Sequence, residues 1–186
     1  MSHNPNDARY RHLAMRMEVE AIMSEHETSD EQHRAHPPKS EWGPGPWQDE
    51  PDRFEWRHKG VPCLALRGPW GAWCGYVAAE PGHPWHGHEP DAEVHGDVTF
   101  TGTCSGHICH VPEPGEPDDV WWLGFDCAHA FDLQPGMGAY LRKVDGMLPE
   151  RFAGVDPFSD GTYRDLAYVR AQCEQLADQL IAARAQ

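Results

Sequence analysis

The segment from Val120 to Asp132, V-W-W-L-G-F-D-C-A-H-A-F-D, has few placements open to it in any fold. From Val120 to Phe125 it is apolar apart from two indole N–H groups, so it belongs inside a sheet as a central strand. It then ends in a D-x-x-H-x-x-D run of Asp126, His129 and Asp132. If the chain turns helical after Phe125, that spacing brings the three side chains close to one face. A buried strand emptying into such a run marks the functional edge of the fold.

The sequence on either side sets the fold class. Phe54–Arg57 and Pro62–Arg67 read as strands, G-P-W-G at 68–71 supplies turn residues, and Ala72–Ala79 resumes β character, which together make a hairpin. Gly75 within it marks a bulge or a close approach of another segment. Val94–Gly102 alternates apolar and polar residues like a half-buried strand, with His95 at its start. At the C-terminus, Leu166, Val169, Cys173, Leu176 and Leu180 recur at three and four behind a cap at Ser159 or Asp160, a helix whose stripe covers the sheet or forms a homodimer seam. A shorter helix is expected between Gly138 and Val144. The expectation is α+β: one domain with a mostly antiparallel sheet of four or five strands, packed by the C-terminal helix, plus an N-terminal helix. Its organisation reads as an amphipathic helix at 1–27 capped by Asp7, a Pro- and His-rich arm at 28–52 whose Trp42 and Trp47 lie against the fold, and the α+β body at 53–186.

Charge narrows the partners. Asp and Glu number 30 against 15 Lys and Arg, a net charge of −15 that repels phosphate backbones and disfavours generic nucleic-acid binding. One basic cluster, Arg57, His58, Lys59 and Arg67, is the place where a small phosphate ligand would sit. No apolar run of about 18 residues and no leader pattern is visible, so the expectation is a cytoplasmic chain that crosses no membrane. Its six cysteines are then expected to stay reduced. Cys104, His107, Cys109 and His110 have the atoms of a zinc site without paired C-x-x-C spacing, and His86-x-His88 is a weaker metal signal in a loop with His83 whose Trp85 caps the core.

Consecutive strands tend to pair, and antiparallel pairing of 94–102 with 120–126 brings the start of the first beside the end of the second. His95 would then approach Asp126 and His129, with the two imidazoles within about 8 Å of one another, a generous reach for groups sharing one ligand. His95, Asp126 and His129 are the expected ligands of a divalent metal such as zinc, with Asp132 joining them in catalysis by a metal-bound water or by direct acid and base transfer. Asp97, Thr99 and Trp122 are the expected ligand-binding neighbours. Cys127 offers a thiol nucleophile in place of the metal. The competing reading is a purely structural polar cluster in which Asp126 caps a turn and His129 pairs with Asp132.

Five stretches together carry a resemblance: G-Y-V at 75–77, G-H-P at 82–84, V-H-G-D-V-T-F at 94–100, W-W-L-G-F-D-C-A-H at 121–129 and Y-R-D-L-A-Y-V at 163–169. They resemble a group of small uncharacterised proteins of phages and prophages that often read H-G-G-L-T and W-W-F-G-F-D-C-A-H-A-x-D. Asp97 stands where that pattern has its second glycine. The resemblance implies phage or prophage ancestry and adds a second class of function, a non-enzymatic module that binds a host protein or sequesters a nucleotide. Trp121, Trp122 and Tyr76 would stack on the base. The partner is accordingly a small molecule or a host protein.

Overall fold

The structure is a computed structural model that describes residues 14–19, 21, 36–110, 112, 114–115, 117–144 and 160–184. The chain divides into two compact units, one of residues 1–48, 69–71 and 130–163 and the other of 49–68, 72–129 and 164–186.

The second unit holds the sheet. Its strands are β1 (Arg53–His58), β2 (Val61–Arg67), β3 (Trp73–Ala79), β4 (Phe100–Thr103) and β5 (Trp121–Asp126). They run in the order β1-β2-β3-β5-β4, with every pairing antiparallel. β5 therefore has a strand on each side, as its unbroken apolar run requires, and Trp122, Leu123 and Phe125 are almost wholly buried. Alternate residues feed two faces. On one, Leu64, Tyr76, Ala78, Val120 and Trp122 cluster beneath Phe100, Cys104 and Ile108. On the other lies the C-terminal helix, Leu166–Ala183, packed on β2 and β3.

That helix buries Val169, Cys173, Leu176, Ala177 and Leu180, each large side chain contributing about 1.5 to 3 kcal/mol. The apolar stripe is thus buried within the chain, against β2 and β3. The cap is Asp165, later than expected, with its carboxylate accepting the Tyr168 N–H at 2.8 Å. Gly75 is explained by close approach: a Cβ there would lie 2.6 Å from Cys173 Sγ and would also collide with the Phe125 ring. The bulge alternative is not needed.

The first unit is helical. Residues 14–19 form a helix, and Pro135–Val144 another that begins three residues before the expected start. Val19 packs with Met137 and Leu141. Asp7 and the remainder of the expected N-terminal helix lie outside the described residues. Trp42 and Trp47 are buried with Ala139, beside Leu133 and Tyr163, so part of the Pro-rich arm is built into this unit. The α+β class, the five antiparallel strands and the packed C-terminal helix are as the sequence predicts.

Two expectations need correction here. Val94–Gly102 is a strand only from Phe100, because Gly96 (φ 66°) and Asp97 (φ 69°) both take the left-handed region and turn the chain. Cys104 and Cys109 form a disulfide, so they neither stay reduced nor serve as zinc ligands.

Candidate functional site: the His95–His129 pair

His95 sits in a tight turn closed by the Asp97 N–H donating to Val94 O at 3.1 Å. The C-terminal helix holds that turn. Gln172 Oε1 accepts the His95 backbone N–H at 2.8 Å, Gln179 Oε1 accepts that of Glu93 at 2.9 Å, and the Gln175 and Gln179 amides donate back to Glu93 O. Three glutamines at helical spacing, 172, 175 and 179, thus clamp the segment leading into the site. The imidazole is fixed as well, with Nδ1 3.0 Å from the Tyr168 hydroxyl and the two rings edge to face. Arg164 in turn lies over the Tyr168 ring at 4.7 Å.

His129 comes from the other side, just past β5. The Cys127 N–H still donates to Trp73 O, continuing the β ladder by one residue, and Asp126 Oδ1 then accepts the Ala128 N–H at 3.0 Å. This side-chain turn outcompetes the expected helix, and Phe131, at φ 73°, departs from it altogether. The D-x-x-H-x-x-D run is a turn. Asp126 Oδ1 lies 3.8 Å from His129 Nδ1, while Oδ2 accepts the Thr99 hydroxyl at 3.1 Å.

The two imidazoles meet with ring centroids 5.3 Å apart at 72°, inside the expected reach. Gly96 permits this: a Cβ at that position would overlap the His129 ring. Both rings are half-buried, so each keeps access to solvent. A groove of about 420 Å³, lined by Glu89, Pro90, Asp91, Ala92, Asp97 and Val98, borders the same turn and sets three carboxylates along it. His95 and His129 belong to a group of side chains that could hold a metal ion.

Asp132 lies in the helical unit, 1% exposed, bridged to Thr162 and with its carbonyl accepting from Arg16 at 3.3 Å. Trp122 is fully buried: its indole N–H points at Cys104 Sγ and its ring meets His110 edge to face, which leaves no surface for a stacked base. Trp121 donates to His88 O, and the buried Tyr76 is pushed well above its ordinary pKa, first by burial. Cys127 is 1% exposed and thus poorly placed as a nucleophile. Cys74, across the ladder from Asp126, is held at about 11 by burial and then by the Asp126 charge.

The phosphate cluster dissolves into ion pairs. Arg67 lies over Trp73 and pairs with Glu50 and Asp52, Lys59 and His58 share Asp178, and Arg57 donates to Gly60 O. In the 80–91 loop, His86 is 2.8 Å from Asp119 O, and the His86–His88 pair joins no group of three donors among the described residues. Sequence reasoning overlooked Tyr168 and Gln172, although both stand on the C-terminal helix at i, i+4 and so share one face.

No protein-family model, curated protein or solved structure matches the chain. Among the described residues, no helix is long and apolar enough to cross a membrane.

Proposed function

We propose that this chain binds a divalent cation through His95 and His129, with a carboxylate of the 126–132 run as the third donor, and that the ion activates water to hydrolyse a small-molecule substrate. The observation that carries the reading is the 5.3 Å edge-to-face approach of two imidazoles reaching the site from separate segments. Zinc is the favoured ion, since imidazole and carboxylate donors suit it and an open coordination position lowers the pKa of a bound water.

The surroundings support this reading. A ligating histidine needs its second nitrogen held by a partner that fixes ring and tautomer. Tyr168 is such a partner for His95 Nδ1, which leaves Nε2 for the metal. The glutamine clamp on 93–95 keeps the ring in place before any ion arrives, and the Glu89, Asp91 and Asp97 groove attracts cations.

Metal analysis of protein purified without an affinity tag is the first test. About one equivalent of zinc, manganese or iron is expected, falling below a tenth in His95→Ala and His129→Ala. Wild-type protein that neither retains an ion nor takes one up in titration calorimetry would sink the proposal, leaving a structural polar cluster. For the hydrolytic half, a screen of ester, phosphoester and amide substrates should show turnover that a chelator abolishes and added zinc restores.

A further inference from the structure

The Cys104–Cys109 disulfide closes a loop of unusual placement. The loop follows β4 and lies over the sheet, where Cys104 and Ile108 pack against the cluster of Leu64, Tyr76 and Trp122. It is also a hairpin in its own right: Ser105 and Ile108 exchange both backbone hydrogen bonds at 3.0 Å. From β1, the Arg53 guanidinium donates to His107 O and Cys109 O, each at 2.6 Å. The loop is therefore held by bonds independent of the disulfide, and two thiols would remain adjacent after reduction.

The two sulfurs differ. Cys104 Sγ faces the N–H of the fully buried Trp122 at 3.5 Å, whereas Cys109 Sγ, 3.6 Å from His110 O, has no such donor among the described residues and lies outside the apolar cluster. An N–H aimed at sulfur favours the thiolate over the thiol, so Cys104 is the better leaving group.

We infer that Cys104–Cys109 is a reversible thiol–disulfide exchange site for a low-molecular-weight thiol of the glutathione class. The external thiolate attacks Cys109 Sγ, a new S–S bond forms, and the Cys104–Cys109 bond breaks with its electron pair passing to Cys104 Sγ. A second thiolate attacks the external sulfur of the mixed disulfide and releases Cys109 as a thiolate. In sum, the protein disulfide and two thiols give the protein dithiol and one external disulfide, with the two thiol protons ending on the cysteines or in solvent. The other four cysteines are poor competitors. Cys63, Cys127 and Cys173 are buried, and burial pushes Cys63 up to about 12 and Cys74 up to about 11.

The test is to incubate the full-length folded protein in glutathione buffers of graded ratio, quench with an alkylating agent and map every cysteine by mass spectrometry. Reversible reduction confined to Cys104 and Cys109 is expected, with unchanged far-ultraviolet circular dichroism and early mixed disulfide at least fivefold more abundant on Cys109. In Cys109→Ser, the thiolate absorbance of Cys104 should titrate below the ordinary thiol value of about 8.5, and Trp122→Phe in that background should move it upward. A disulfide that yields only when the protein unfolds, or glutathione spread equally over both sulfurs, overturns the inference. The wild-type mapping decides this even if the Trp122 variant fails to fold.

Discussion

At the scale of single residues, the site depends on two adjacent backbone conformations. Gly96 and Asp97 both sit at positive φ, and Gly96 must also lack a side chain to make room for His129. Gly96→Ala is therefore expected to cost about 1 to 3 kcal/mol by overpacking, and to abolish metal uptake with His129 displaced; urea unfolding and calorimetry with zinc check the two halves separately. Asp97 stands at a left-handed position, a conformation that aspartate tolerates better than most residues. Asp97→Gly should change stability by less than about 1 kcal/mol, while Asp97→Val should lose about 1 to 2 kcal/mol. Equal stability in the two variants would show that the turn tolerates any residue. H-G-D was legible as a motif, but the reason for its second position was not, because a φ angle leaves no mark on composition.

At the scale of elements, the C-terminal helix ties together segments that the sequence keeps far apart. Its first turn is held by Glu50, whose Oε1 accepts the Leu166 N–H at 2.8 Å while Oε2 accepts from Arg67 and from the Trp73 indole. The carboxylate also complements the positive end of the helix. Glu50→Ala is expected to lose about 1.5 to 3 kcal/mol, the worth of a hydrogen bond to a charged group, and a melt within 1 °C of wild type would refute that. Near the other end, His83 Nε2 meets Leu180 O at 2.9 Å and Nδ1 accepts the Trp85 N–H at 3.0 Å, an arrangement that requires a neutral ring. Burial lowers its pKa accordingly. The unfolded ring, near about 6.5, takes up a proton that the folded ring refuses. The contribution to stability is thus complete above that value and is lost as pH falls toward the folded one. Thermal melts between pH 7.5 and 5 should decline less steeply in His83→Gln than in wild type. Apolar periodicity revealed this helix; its polar attachments to residues 50, 83 and 93–95 span up to 116 positions and had no local signature.

At the scale of the whole molecule, a net charge of −15 repels itself, and salt should relieve that strain on folding. The melting temperature should rise as sodium chloride increases from about 10 mM to 150 mM, over which the Debye length shrinks from roughly 30 to 8 Å. A flat response would mean that paired charges, such as Lys59 with Asp178, already balance the surface. By itself the sequence determined the buried β5 strand, the β2–β3 hairpin, the antiparallel pairing of the β4 segment with β5 and the apolar face of the C-terminal helix. These follow from alternation and helical spacing, patterns that a hydrophobic core imposes on neighbouring residues. Only the tertiary structure decided that D-x-x-H-x-x-D is a turn, that the site holds Tyr168 and a glutamine clamp beside His95 and His129, that Trp122 is sealed in the core, and that Cys104 and Cys109 are joined. Each of these outcomes comes from competition among hydrogen bonds and close contacts between distant segments, and such competition is resolved only once the chain has brought them together.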